Sequence, residues 1–346
     1  MAALALASSG CWRTKVYAIT APDAAPSAVD ARPEPDAKPE PDTKSVPEDR
    51  PVPVDRPEPD AKPEPDTRPE PDTRPEPDTK PAIVCPTTVL KQGNNTFNLT
   101  VGSATRSYLL HVPKNYDGKK AVPLIVDFHG MPSSGTEELN TSTYPAVTDN
   151  EGVVIAFPNG QNGALGAGWN FGPCCVDGAD DLGFTKALVA QLQKTACIDP
   201  DRVYAVGTLT GSGMVYLLAC QAADIFAAVA PAAFDLIEET VADCHPSRPI
   251  TVISFRGTAD THVPYIGGAS ELVQGKKITF LGAKRTFTTW SNLDNCTGSA
   301  VEESNGCSRY KNCLGGVEVV LCSKQGGKEE PGDATIAWPT LSRYTR

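Results

Sequence analysis

The stretch VYAVGTLTGSGM, residues 203–214, has the layout of a reactive turn. The apolar run at 203–206 reads as a short buried strand, Gly207-Thr208-Leu209-Thr210-Gly211 as a tight turn, and the residues after Gly211 as the start of a helix. A Gly-x-Ser-x-Gly turn of this kind lifts a serine oxygen above a strand end, where it can attack an acyl carbon. Leu209 stands in the middle position and has no group that can form that bond. Ser212 is the nearest alternative nucleophile. It has Thr210 and Met214 where so sharp a turn needs small residues, and it falls in the first helical turn.

The other chemistry-bearing residues also come after apolar runs. His129-Gly130 closes PLIVDFHG and Met131 follows it, and Asp260 and His262 lie in the FRGTADTHVPY loop. His129 reads as a residue that packs a turn, and His262 as a surface-loop histidine. No histidine follows His262; Lys328 stands after Gly326-Gly327. A lysine at its ordinary pKa is protonated at neutral pH and cannot accept a proton from a hydroxyl.

Short buried strands are expected at 108–113, 123–130, 153–160, 202–207, 249–257 and 316–323, and helices at 180–196, 213–222 and 282–296. Alternation of such strands with helices implies an α/β fold, a mainly parallel sheet covered on both faces. Sites in such sheets form where loops leave the carboxyl ends of strands. The loops at 129–130, 207–211 and 257–260 all qualify.

Five ordered segments resemble the secreted poly(3-hydroxybutyrate) depolymerase and feruloyl esterase group of α/β hydrolases. They are PLIVDFHG, GWNFGPCCVDGADDLGF, CIDPDRVYAVG, LACQAADIFAAVAPAA and FRGTADTHVPYIGG. The resemblance implies the α/β-hydrolase fold over residues 82–346, a monomeric unit without cofactor or metal, and an ester-containing polymer or cell-wall ligand as partner. It places the nucleophile at Leu209, the base at Lys328 and the retained acid at Asp260. Oxyanion donors fall at Gly130, Met131 and Thr210, and cleft residues at His129, Trp169 and Asn170. Nucleophile and base are thus both replaced, and Arg256 stands where the group carries a histidine. The expected outcome is a catalytically degenerate hydrolase with a binding or scaffolding role. An active esterase with a relocated nucleophile and a structural lipoprotein are the alternatives. The resemblance also pairs Cys220 with Cys244 and Cys296 with Cys313, leaving Cys307 with Cys322. Cys174 and Cys175 would bond different partners, with Cys85 and Cys197 as candidates.

Residues 32–80 repeat the hexad [RK]PEPD[AT] and hold 15 of the 32 prolines. Their only large apolar residues are three valines, so residues 12–81 are expected to form a disordered or polyproline-like linker. The repeat has 9 Lys/Arg and 15 Asp/Glu, which is −6 of the −11 net charge. The acidity belongs largely to the linker and argues against a nucleic-acid partner. The opening MAALALASSGC reads as a truncated lipoprotein signal ending at a lipid-bearing Cys11, the one expected link to a membrane. The other ten cysteines form no CxxC pair, which disfavours zinc and favours disulfides in an exported, extracellular or cell-surface protein.

Overall fold

The computed structural model describes residues 82–273 and 276–346. The expected signal, Cys11 and the repeat linker lie outside them. Ten strands form one sheet: β1 (Gly93–Val101), β2 (Ala104–Val112), β3 (Val122–Phe128), β4 (Val154–Pro158), β5 (Ile198–Thr208), β6 (Ala228–Ala232), β7 (Thr251–Gly257), β8 (Val301–Glu302), β9 (Cys307–Tyr310) and β10 (Val319–Lys324). Their spatial order is β1-β2-β4-β3-β5-β6-β7-β10-β9-β8. The six strands from β4 to β10 run parallel, and antiparallel strands close both edges.

Alternating side chains of the central strands feed two cores. Leu124, Val126, Val203 and Ala205 pack on one face with α2 (Asp181–Thr195), α3 (Thr210–Gln221) and α4 (Ala283–Leu293). Ile125, Tyr204 and Val206 face the other side, against α5 (Ala334–Leu341), whose Trp338 meets the Tyr204 ring edge-on at 5.5 Å. With both faces covered, the strands carry continuous apolar runs, as expected of buried parallel sheet. The turn 207–211 sits at the carboxyl end of β5 in the middle of this sheet. A further short helix, α1 (Gly135–Thr141), packs over the β3 end.

Five disulfides staple the domain. Cys220–Cys244, Cys296–Cys313 and Cys307–Cys322 join as expected. The expectation for Cys174 and Cys175 is corrected: they bond to each other, and Cys85 bonds Cys197. Cys85 and Cys197 approach to a Cα separation of 4.6 Å, which leaves the adjacent pair, both buried, to pair together. Among the described residues no helix is long and apolar enough to cross a membrane, and no group of three or more His, Cys, Asp or Glu could hold a metal ion.

Candidate functional site

The turn between β5 and α3 has the backbone of a nucleophile elbow. Leu209 sits at φ 51°, ψ −124°, a region that costs a non-glycine residue about 1–3 kcal/mol and persists only where its surroundings impose it. The imposing contacts are visible. A Cβ on Gly211 would lie 2.1 Å from the Phe128 carbonyl oxygen, and one on Gly207 would lie 2.9 Å from it, so both glycines let the turn press against the β3 end. Leu209 N–H donates to the Ala232 carbonyl at 3.0 Å. The Leu209 side chain lies over Gly130, where a Cβ would be 3.2 Å from Leu209 Cδ1.

Ser212 does not open to this site. It is fully buried beneath the first turn of α3. Its Oγ accepts from the Ala232 amide at 2.7 Å and lies 2.7 Å from the Gly207 carbonyl and 2.6 Å from that of Ala232, donating to one at a time. The hydroxyl clamps the elbow from below, and a group so placed cannot reach an ester. The relocated-nucleophile role for Ser212 is therefore corrected to a structural one.

Asp260 occupies the loop after β7. Its Oδ1 accepts the backbone amides of His262 at 2.9 Å and Val263 at 3.0 Å. Its Oδ2 is buried, accepts no hydrogen bond, and lies 3.9 Å from Arg256 Nη2. Arg256 is itself fully buried, pairs with Asp235 and donates to the Val263 carbonyl at 2.5 Å. Burial pushes the Asp235 carboxyl up to about 6 despite that guanidinium. Arg256 thus places its positive charge in a buried acidic region that includes Asp260.

The segment after β10 meets this loop as the resemblance implies. Ala259 N–H donates to the Gly327 carbonyl at 2.8 Å, and the Lys328 carbonyl lies where a Cβ on Gly257 would be only 2.0 Å away. The side chain it presents is not the expected one. Lys328 lies outside the cleft lining, whereas Glu329 lines the cleft and meets His262 Nδ1 at 2.5 Å. Sequence reasoning missed this pair because it singled out position 328 and set His262 aside as an ordinary loop residue. The available signal was Asp260 two residues before His262, the spacing of a carboxylate that caps its own loop.

An open cleft of about 280 Å³ brings these parts together. Met131, Leu209, Phe234 and Val263 give it apolar walls, and Thr210, His262, Glu271 and Glu329 give polar ones. The Thr210 hydroxyl is buried without a hydrogen-bond partner. Trp169 and Asn170, expected near the cleft mouth, are placed elsewhere. Trp169 is fully buried, and its indole N–H donates to the His129 carbonyl at 2.7 Å. Asn170 lines a separate cavity of about 340 Å³ and donates to the Ala179 carbonyl at 2.8 Å. His129 supports the Gly130-Met131 turn from inside: Nδ1 bonds the Gly130 carbonyl at 2.6 Å and Nε2 accepts from Gly160 N–H at 2.9 Å. Burial holds the imidazole below its usual pKa, in the neutral form this arrangement needs.

Behind the elbow, Asp127 on β3 and Glu138 on α1 form a buried carboxyl pair. Ser142 Oγ donates to Asp127 Oδ2 at 2.7 Å, and Thr208, next to Leu209, donates to Glu138 at 3.4 Å. Burial raises the pKa of both acids, and the Asp127 charge raises Glu138 further, up to about 9. The folded pair holds a proton that the unfolded chain releases near pH 4. Its stabilisation is therefore complete in acid and declines as pH rises toward that folded value. Glu138→Gln keeps the acceptor for Thr208 and supplies a permanent donor to Asp127. At pH 9 the variant is expected to unfold at a higher temperature than the parent, by about 1–3 kcal/mol of stability. At pH 5 the gap closes. Parallel melting curves that keep one offset at both pH values would refute the shared proton.

Fold and elbow together define an α/β hydrolase. No family model matches the chain. Over 244 residues it is 41% identical to feruloyl esterase B of Piromyces equi, an alignment covering 69% of this chain and 45% of that protein. Over 210 residues it is 29% identical to a "Probable feruloyl esterase C" of Aspergillus oryzae, covering 59% of this chain and 72% of that protein. The chain thus spans about half the length of the first of these relatives. The fold is shared with the acetyl xylan esterase from Aspergillus awamori, at a TM-score of 0.53 and 12% identity over 72% of this chain and 99% of that one. The chain is thus similar in sequence to feruloyl esterases and has the α/β-hydrolase fold. Its disulfides further mark a protein that matures outside the reducing cytosol.

Proposed function

We propose that this esterase-like chain binds an ester-bearing cell-wall polymer in the cleft above Leu209 and has lost acyl-enzyme chemistry. The observation that carries the reading is Leu209 itself, seated at the nucleophile position of a retained elbow with its side chain over Gly130. Leucine cannot form an acyl-enzyme, yet the apolar walls suit an acyl or aromatic group. The relatives' names favour feruloyl or acetyl esters on polysaccharide as ligand, ahead of polyhydroxyalkanoate. The proline-rich repeat would tether the domain to a surface through Cys11. No nucleic-acid partner enters this reading, and the domain acts as a monomer.

The test treats the purified full chain with a fluorophosphonate and measures its binding to feruloylated arabinoxylan, to the same polymer after alkaline de-esterification, and to poly(3-hydroxybutyrate). No covalent adduct, together with retention on the feruloylated polymer alone, is expected. One equivalent of adduct on the parent chain would overturn the loss of serine chemistry. Equal retention on the de-esterified polymer would overturn ester recognition.

A further inference from the structure

The loop after β7, which keeps Asp260, and the loop after β10 both reach this cleft, and the side chains they present to it are a histidine and a carboxylate. The loop after β7 offers a histidine, His262, and the loop after β10 offers a carboxylate, Glu329; Nδ1 and Oε1 are 2.5 Å apart. Both line the cleft that contains Leu209 and Thr210. An ionised carboxylate only accepts hydrogen bonds, so in the neutral imidazole Nδ1 carries the proton and Nε2 keeps its lone pair. The His262 backbone is fixed on both sides, by Asp260 Oδ1 on its amide and by Ser270 Oγ, which donates to its carbonyl at 2.9 Å. The retained acid thus positions the loop that bears this imidazole.

Stability does not account for the pair. The two side chains are 70% and 44% exposed, and an ion pair so placed contributes about 0–1 kcal/mol. The exposure does leave the imidazole open to water at the rim of an apolar cleft. A second observation points to an occupant: the buried Thr210 hydroxyl on the cleft wall has no partner, a gap that a polar atom of a ligand would fill.

We propose that His262, oriented by Glu329, is a general base that activates water against an ester bound over Leu209. The inference rests on the reading of the cleft as an ester site and adds a reaction to it. His262 Nε2 takes a proton from water while the water oxygen bonds to the acyl carbon and the carbonyl π electrons move onto oxygen. Collapse of the tetrahedral intermediate breaks the bond to the alcohol oxygen, and the imidazolium returns the proton to that oxygen. The products are one carboxylic acid and one alcohol, with no covalent enzyme intermediate. The charged groups around the imidazole are Glu329, Glu271 on the cleft wall, Asp260 behind the loop and Lys328 beside Glu329.

The experiment follows methyl ferulate hydrolysis by the full chain, with binding of the same ester measured separately. The parent is expected to show saturable turnover about 100-fold or more above buffer, with no burst. His262→Gln should fall to the buffer rate while retaining ester binding, and Glu329→Gln should lower kcat with KM unchanged. His245→Gln, on a loop away from the cleft, should behave as the parent. Ester binding without turnover in the parent, or a rate unaltered in His262→Gln, overturns the inference and leaves the binding site standing. Failure of the parent to bind the ester overturns the proposed function itself.

Discussion

Leu209→Ser is expected to convert a chain inert to fluorophosphonates into one that takes up one equivalent. Elbow serines are reactive because of the backbone beneath them, and that backbone is already in place: φ 51°, ψ −124° at Leu209, two glycines pressed on the β3 end, and Ser212 clamping the turn from below. The substitution removes a branched side chain from over Gly130 and puts a hydroxyl into a cleft that also holds His262. If the resemblance holds at this turn, the main-chain amides of Thr210, at the start of α3, and of Met131, after Gly130, would serve as its oxyanion donors. A positioned base next to a nucleophile contributes about 10²–10⁴-fold, so ester turnover should rise by at least about 100-fold and show an initial burst. If His262 serves the introduced hydroxyl, Leu209→Ser/His262→Gln loses the gain. If only Leu209→Ser/Lys328→His is labelled, the base must come from position 328. A folded Leu209→Ser chain that resists labelling in both backgrounds would show that more of the site is lost than one side chain.

The central sheet was legible because parallel strands buried on both faces write continuous apolar runs. YLLHVP, PLIVDFHG, VVIAFPNG, RVYAVG and PITVISFRG all overlap strands of the sheet. The helix after the elbow begins at Thr210 and not Gly213, since the turn runs into it without a spacer. β1 and the short β8 and β9 were not legible. β1 and β8 are exposed strands at the two edges of the sheet, and β9, next to β8, is only four residues long, too short for its alternation to stand out.

At the site, Leu209 and Asp260 could be placed from the turn and its surroundings, whereas Lys328 and Glu329 could not be separated. Adjacent loop residues point to different sides, and which of them enters a cleft depends on how the loop is stitched, here through Gly327 to Ala259. The same limit applies to Trp169, whose position under His129 depends on an indole hydrogen bond between residues 40 apart in the chain. One clue was available and unused: an arginine ending the apolar run VISFR must be buried, and a buried arginine requires a carboxylate.

That carboxylate is Asp235, and removing its cation should give the largest loss of stability. Arg256 is fully buried, and so are Asp235 and Asp260 beside it. Arg256→Leu leaves two carboxyls in the interior without the guanidinium that faces both. Breaking a buried pair from one side costs about 3–5 kcal/mol, which in a domain of this size lowers the melting temperature by roughly 10 °C. The loss has a pH signature. Burial already pushes Asp235 up to about 6 with the arginine present, and without it the carboxyl binds its proton more tightly still. The variant's folded state therefore holds more protons than the parent's around neutrality, so its deficit should grow from pH 5 to pH 8. Arg256→Leu/Asp235→Leu should recover much of the loss, because a buried ion pair replaced on both sides by apolar groups is often close to neutral. A single variant that melts within about 2 °C of the parent at pH 8 would show that the interior tolerates these carboxyls without Arg256. The recovery matters for the cleft as well, because Arg256 donates to Val263, which lies in the cleft wall one residue after His262.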